Sequence, residues 1–399
     1  MDFALLLYII FQILISIHLI FPVILLLLKS FSSKQNNYVK KNEFEIDYAI
    51  IVTAYQQTTL LPMVVDSILK LNYNNYLIYV VADSCDISNL NFNNEKVVLL
   101  RPEEELASNI KSHFYAIDNF KRAHDRLTII DSDNLVHTEY LNELNHIFDE
   151  NYQAVQGVRE AKNLNTQYAC LDAAGDIYYR YVDRYLLFKS GSSASLSGSG
   201  MAFTVSLYKE CLGNLQTSGA GFDKILQYEI IKRKLKIAFA EKAIVYDEKT
   251  SKPDQLIKQR ARWINTWFKF FKLGLKLNLA GILNLNLNQF LFSIMLLRPP
   301  LFMLFIISAV FFLANLIFMP FVALTWFLFG VIFVMVFYNS LIYFKADSKI
   351  FNSLKNAPKF FFFQFLALLK ANRANKISVA TQHDQQSSIN DIDSNKKSI

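Results

Sequence analysis

The sequence predicts an α/β fold built on a mostly parallel sheet with crossover helices, joined to helices that cross a membrane. From about residue 44 to residue 250, short β-branched or apolar runs alternate with longer amphipathic stretches, as crossover connections require. Hydrophobic residues make up 53% of the 399 and the mean hydropathy is +0.21, too apolar for an ordinary soluble enzyme. Between these regimes, the branched run at residues 127–130 stops at Asp131-Ser132-Asp133, placing two carboxylates at a strand end.

Taken in order, residues 3–28 carry no charge, and about 20 apolar residues cross a bilayer as a helix. Asp2 precedes the run and Lys29 and Lys34 follow it, which reads as an uncleaved anchor over residues 1–30 with its N-terminus outside, not a cleaved leader. The globular unit is expected at 44–255. Its predicted strands are 48–53, 78–82, 97–100, 128–130 and 154–158, and its predicted helices include 60–71 and 107–120. In such sheets ligands bind beyond the carboxyl ends of the strands, where Thr53, Asp83 and Asp131 fall.

Beyond Lys249 the charge turns basic, with Arg260, Arg262, Lys269, Lys272 and Lys276 among Trp263, Trp267, Phe268 and Phe271. Interfacial amphipathic helices are expected over 256–298. Residues 277–297 are long enough to span, but Asn278, Asn284, Asn286, Asn288 and Gln289 would be costly in lipid, so an interfacial or protein-buried helix is expected there. Two apolar runs at 299–319 and 321–343 predict a hairpin of two spans within 299–345. Basic residues on both outer flanks put its ends in the cytosol. Residues 346–376 are expected to form an interfacial helix and 377–399 a disordered tail.

The formal charge of +7, from 41 Lys and Arg against 34 Asp and Glu, flanks the apolar segments, which favours membrane lipids over nucleic acid as a partner. Three cysteines, Cys85, Cys170 and Cys211, lack a framework spacing and fit a reduced compartment.

Several residues suit phosphate and sugar chemistry. Asp131 and Asp133 offer oxygen ligands for Mg²⁺ or Mn²⁺, although Asp and Ser also favour turns and caps. Asp83 ends an earlier strand and can accept from a base or ribose; residues 53–57, with Tyr55, can contact a nucleobase or form a plain loop. Lys111 can meet a diphosphate or simply be solvated. Gly198, Ser199 and Gly200 let backbone approach a ligand. Asp223 follows Gly219-Ala220-Gly221 and opens an amphipathic run, which suits a base or an N-terminal helix charge. Residues 259–263 combine Gln259 and the Arg262 guanidinium with the Trp263 indole, which serve phosphate and sugar contact or interfacial anchoring.

Together Ile51-Val52-Thr53-Ala54-Tyr55, the Asp83 strand end, Asp131-Ser132-Asp133, the run LSGSGMAF at 196–203, Gly221-Phe222-Asp223 and QRARW at 259–263 resemble glycosyltransferase family 2. The likeness is closest to its membrane branch of cellulose, hyaluronan and chitin synthase type, and covers about residues 46–265. The resemblance implies a GT-A fold with a Rossmann-like mixed sheet, and a metal-dependent enzyme using Mg²⁺ or Mn²⁺. It implies inverting transfer from a nucleoside-diphosphate sugar, usually a UDP-sugar, to a polysaccharide or lipid-linked acceptor at the cytosolic face of a bacterial inner membrane.

By position, Thr53, Ala54, Tyr55, Gln57 and Asp83 would bind the nucleotide and Lys111 the diphosphate. Asp131, Ser132 and Asp133 would bind nucleotide and metal. Asp223 would be the base, and Gly198, Ser199, Gly200, Gln259, Arg262 and Trp263 would hold diphosphate and acceptor. The family's base motif usually reads Glu-Asp, where this chain has Phe222; its first loop usually ends Asn-Glu, where this chain has Gln56-Gln57. Other polysaccharide-assembly or export subunits are possible partners. The alternative is a non-catalytic membrane subunit that binds nucleotide sugar or scaffolds export.

Overall fold

A computed structural model describes residues 3–31, 45–213 and 221–371. The chain begins with helix α1 (Phe3–Phe31), then β1 (Tyr48–Tyr55), α2 (Leu61–Leu69), β2 (Tyr76–Asp83), β3 (Val97–Leu100), α3 (Asn109–Asp118) and β4 (Arg126–Asp131). There follow β5 (Leu135–Val136), α4 (Tyr140–Phe148), β6 (Ala154–Ala161) and α5 (Gln167–Tyr179). Helix α5 runs through a π-helical stretch (Arg180–Leu186) into α6 (Leu187–Lys189). After β7 (Met201–Thr204), α7 (Val205–Leu212), α8 (Phe222–Lys232) and β8 (Ile237–Asp247) come α9 (Pro253–Leu283), α10 (Leu287–Leu297), α11 (Leu301–Phe318), α12 (Pro320–Tyr343), α13 (Ser348–Ser353) and α14 (Ala357–Lys370).

The sheet is mixed, in the order β3-β2-β1-β4-β7-β6-β8-β5. Strands β3, β2, β1 and β4 are parallel, β7 runs antiparallel to β4 and β6, and β6 and β8 are parallel. Alternation along β1 sorts its side chains to two cores: Tyr48, Ile50 and Val52 pack with Val64, Ile68, Leu141 and Leu144 of α2 and α4. Ala49 and Ile51 pack with Ile117, Leu207, Leu226 and Leu186 on the other face, and that core continues into Leu19 and Leu25 of α1.

All five strands read from the sequence are present. Strands β5, β7 and β8 lie beyond that reading. In β8 the apolar run is interrupted by Glu241 and Lys242, where β6 and β8 shift register between Gln156 and Val158. Gly157 sits at this irregularity because a Cβ there would lie 2.5 Å from the carbonyl oxygen of Ala243.

Three helices among the described residues are long and apolar enough to cross a membrane: Phe3–Phe31, Leu301–Phe318 and Pro320–Tyr343. The protein is an integral membrane protein that carries a soluble α/β domain. A shared polar contact fastens the three helices, since Gln12 Oε1 accepts from Asn315 Nδ2 at 2.6 Å and from Trp326 Nε1 at 2.7 Å.

Residues 277–297 do not form one helix. The chain turns at residues 284–286, where Leu285 has φ +48° and Asn286 caps α10 by accepting from the Gln289 N–H. The asparagines bond to protein: Asn288 Oδ1 accepts from Ser193 Oγ at 2.8 Å, Asn288 Nδ2 donates to the Leu235 carbonyl, and Asn278 Nδ2 donates to Ser293 Oγ. Gln289 Nε2 donates to the Ile231 carbonyl. The protein-buried reading therefore holds for α10. Helix α14 packs on α9, where Ala367 and Ala371 meet Ile257, Ala261 and Ile264, while Phe362 and Leu369 stay exposed. The predicted disordered tail at 377–399 lies outside the described residues.

The α9–α10 turn closes on Gly281, whose Cβ position lies 2.6 Å from the Phe290 backbone nitrogen. Gly281→Ala should push the two helices apart and lose about 1–3 kcal/mol; thermal unfolding of the full chain in detergent should show a lower Tm, and an unchanged Tm would mean the contact is not tight.

Candidate functional site

Parallel register sets the first half of the site. Thr53 pairs with Asp131 and Tyr55 with Asp83, so the ends of β1, β2 and β4 reach one edge together. Asp83 is buried, and its two carboxylate oxygens accept the backbone N–H groups of Leu106 (3.0 Å) and Ala107 (2.8 Å). These bonds draw the loop after β3 across the strand ends. Tyr55 reinforces it by donating its hydroxyl to Glu105 Oε1 at 2.5 Å, a bond that raises the phenol's pKa to about 12. A carboxylate has about four lone-pair positions, so Asp83 keeps capacity for a further donor. Ala54 is buried in β1, Gln57 follows the strand, and Lys111 is exposed on α3.

The glycine-serine run meets the same edge. Gly198 and Gly200 have φ of +89° and +65°, which favour glycine, and between them buried Ser199 accepts the Asp131 N–H through Oγ at 3.0 Å. Ser132 is half-buried, and Asp133 is buried with its carbonyl accepting from Lys162 Nζ at 3.3 Å. Burial holds the Lys162 pKa below its ordinary value, against the pull of the Asp133 carboxylate.

From Asp131 a buried ion network leads away. Arg159 donates to the Ser197 carbonyl at 2.7 Å and to Asp247 Oδ1 at 2.5 Å. Burial disfavours its charge, but Asp247, Asp131 and Asp176 more than offset that and raise its pKa. Lys249 Nζ bridges Asp247 Oδ2 at 2.9 Å and Asp176 Oδ2 at 3.1 Å. Burial raises the Asp247 carboxyl, and Arg159 and Lys249 outweigh it to hold the pKa at about 2.

The network opens into a cleft of about 360 Å³, counted out to solvent, lined by Arg159, Asp172, Tyr179, Lys249, Gln259, Arg260 and Trp263 among others. Gln259 Oε1 accepts from Thr250 Oγ1 at 3.2 Å. Trp263 is 49% exposed, and the Arg260 guanidinium lies 4.1 Å from its ring centroid while bonding Asp172. The guanidinium of the pentad that lines this cleft is thus Arg260; Arg262 lies half-buried beside it on α9, and burial holds its pKa below its ordinary value.

Asp223 stands on a separate element, α8. It lies in the first turn of α8, where the helix dipole favours negative charge, and its carboxylate is 3.3 Å from Lys224 Nζ. Gly221 (φ +98°) fits tightly against Thr266 and Phe270 of α9, which binds this turn to the helix carrying Gln259 and Trp263. Gly219 and Ala220 lie outside the described residues. Phe222 is buried and meets the His113 ring edge-on at 5.1 Å. His113 also bonds the Tyr208 hydroxyl, and burial lowers its pKa to about 3, so it stays neutral. A glutamate at 222 would face this apolar packing, which accounts for the phenylalanine.

For a divalent metal, no group of three or more His, Cys, Asp or Glu side chains is placed to hold one among the described residues. Asp131 and Asp133 still fit a metal that takes one or two carboxylates and completes its shell with substrate phosphates.

Sequence reasoning did not single out Arg159, Lys162, Asp172, Asp176, Asp247, Lys249 or Arg260. The spacing of Asp172, Asp176, Arg180 and Arg184 was a readable signal, four charges on one helix face. The strand-borne members carried none.

The model of the family described as glycosyltransferase like family 2 matches residues 46–266. Among curated proteins none matches the chain in sequence. A mannosyltransferase from Pyrobaculum calidifontis, solved with GDP-Man and Mn²⁺, is similar over 90% of this chain and 97% of its own at 12% identity, with a TM-score of 0.56. TarS of S. aureus, solved with UDP-GlcNAc, is similar over 58% of this chain and 67% of its own at 13% identity, with a TM-score of 0.41. The first likeness is one of fold.

Asp247 gives the network a pH signature. Its pKa lies below the ordinary carboxylate value of 3.8, so its contribution is present above that value and is lost as pH falls through about 2. The Tm of the wild type should fall steeply between pH about 4 and about 2. Asp247→Asn should already be about 3–5 kcal/mol less stable at neutral pH, because Arg159 and Lys249 lose their buried partner. Equal Tm values at neutral pH would contradict this.

Proposed function

The chain belongs to the glycosyltransferase-like family 2, whose members transfer sugar from a nucleoside-diphosphate donor to an acceptor, and on that premise we propose that it performs metal-assisted, inverting transfer at the cytosolic membrane face. The observation that carries this reading is the parallel register that aligns Thr53 with Asp131 and Tyr55 with Asp83 at one sheet edge. The nucleotide lies along residues 53–57 and Asp83, with Lys111 and the Asp131-Ser132-Asp133 turn towards its diphosphate. A Mg²⁺ or Mn²⁺ ion bound by Asp131 and Asp133 would neutralise the departing diphosphate.

Asp223 acts as the general base. It takes the acceptor hydroxyl proton, the acceptor oxygen forms a bond to the anomeric carbon from the face opposite the diphosphate, and the bond to the diphosphate breaks with inversion. Backbone at Gly198 to Gly200, with Gln259, Arg262 and Trp263, orients diphosphate and acceptor; Arg260 joins them from the cleft wall. The basic residues Lys29, Arg298 and Lys345 at the ends of the apolar helices support a cytosolic catalytic domain with the N-terminus outside. The three apolar helices among the described residues give little wall for a polymer channel, which favours a lipid-linked acceptor over unaided polymer export.

Purified full-length protein in detergent, offered a panel of UDP- and GDP-sugars with Mg²⁺ or Mn²⁺, should yield a glycosylated product identifiable by mass, and EDTA should stop its formation. Asp223→Asn should lower turnover about 10²–10⁴-fold while donor binding persists. Near-normal turnover in that variant would remove Asp223 from the role, and the absence of donor turnover throughout the panel would favour a non-catalytic subunit.

A further inference from the structure

Four buried guanidinium nitrogens in one cluster make no hydrogen bond among the described residues: Nε of Arg159, Nε of Arg180, and Nε and Nη1 of Arg184. Arg180 and Arg184 are 4% and 6% exposed. They follow Asp176 at four-residue spacing, so the three stand on one face, with Asp176 oxygens 3.9 Å from Arg180 and 3.8 Å from Arg184. Arg180 Nη2 donates to the backbone carbonyl of Arg159, which ties the helix-borne guanidinium to strand β6.

Arg159, Arg180, Arg184 and Lys249 face Asp176 and Asp247, with Glu160 at 4.0 Å from Arg180 and the Asp131 charge also acting on Arg159. The neighbouring Asp183 is matched separately by Arg298, at 2.8 and 2.7 Å. Arg180 and Arg184 also lie in the π-helical stretch, a winding that is rare and recurs at functional sites. Dry, fork-shaped donors that lack hydrogen-bond acceptors suit the oxygens of a phosphate group.

The location narrows the source of that phosphate. The Arg180 guanidinium lies 5.1 Å from the ring centroid of Phe344, the residue that closes α12. On the same stretch, Tyr181 accepts from Asn339 of α12 at 2.8 Å and Tyr185 accepts from Lys29 near the end of α1 at 2.7 Å. The cluster thus stands where two apolar helices end, the level at which lipid phosphates sit. Arg159 and Asp176 connect it to the cleft lined by Tyr179, Arg260 and Trp263.

We propose that Arg159, Arg180 and Arg184 form a binding site for the phosphate of a membrane-anchored phosphate ester, which brings a lipid-borne acceptor to the cleft. Calling that lipid the acceptor rests on the transferase reading; the binding site itself does not.

The test uses the full chain in detergent, with thermal unfolding as readout and dodecyl phosphate, dodecanol and inorganic phosphate as probes. Dodecyl phosphate should raise the Tm, dodecanol should not, and inorganic phosphate at equal concentration should act more weakly. Arg180→Met and Arg184→Met should each weaken the dodecyl phosphate response about ten-fold or more, while stabilisation by the nucleotide-sugar donor persists. If a Met variant shows no cooperative unfolding, Arg184→Lys, which keeps the charge and loses the fork, should still bind dodecyl phosphate more weakly than the wild type.

Inorganic phosphate as effective as dodecyl phosphate would overturn the lipid assignment. Loss of donor stabilisation in the same variants would give the cluster to the donor diphosphate, and a wild type indifferent to every phosphate would overturn the site. A protein that binds dodecyl phosphate yet transfers no sugar would sink the transferase reading and leave this site standing.

Discussion

The carboxylate of Asp247 sets a condition that the architecture around the cleft has to meet. It ends β8 and accepts from Arg159 of β6 at 2.5 Å and from Lys249 at 2.9 Å, and Lys249 is shared with Asp176 of α5. A charge taken out of water persists only with partners of good geometry, so β6, β8 and α5 must converge at one level for the network to exist. Arg159 carries the constraint further: its second donor holds the Ser197 carbonyl, and Ser199, two residues on, bonds the Asp131 N–H. The geometry of the carboxylate turn therefore depends on a charge pair carried by β6 and β8.

The same economy of polar groups joins the soluble domain to the membrane helices. Asp183 is held bidentately by Arg298 just before α11, and Ser192 and Ser193 donate to Asn288 of α10. Each of these groups would be expensive in lipid and is instead a fixed contact with the domain. Gln12, Asn315 and Trp326 do the same between α1, α11 and α12, where apolar packing alone gives little preference for one partner. Motion of the apolar helices relative to the cleft must break such bonds, so the two halves are mechanically coupled.

The parts of the fold legible in the sequence were those with strong periodicity. The branched runs of β1, β2 and β4 declare buried parallel strands, and the three apolar helices declare themselves by length. Strand β7 was hidden by its four residues behind a glycine-serine run, and β8 by the Glu241–Lys242 interruption. For residues 277–297 the choice between an interfacial and a protein-buried helix stayed open, because composition gives the cost of asparagine in lipid but not its partner; Ser192, Ser193 and Leu235 lie far away in sequence. The strand-end carboxylates of the site were legible for the same reason as the strands. Arg260 and Arg262 were not separable, because two arginines at neighbouring positions of one helix point to different surfaces and only packing tells which meets Asp172.

Unpaired polar groups are where packing arguments reach their limit and ligand arguments begin. A buried donor without an acceptor costs about 1–3 kcal/mol, against a total stability of about 5–15 kcal/mol for a typical domain. Arg159, Arg180 and Arg184 together keep four such nitrogens dry. The π-helical winding adds to that burden, because an α-helix through the same residues would use the more common bonding pattern. Burial also holds the Arg184 pKa below its ordinary value despite the opposing pull of Asp176, the mark of a charge short of partners. Replacing Arg184 with an apolar side chain would give up its ion contact with Asp176 but recover the desolvation cost of the guanidinium. Their presence where α1 and α12 end is explained when an anion supplies the missing acceptors, so part of the protein's stability is expected to reside in that ligand.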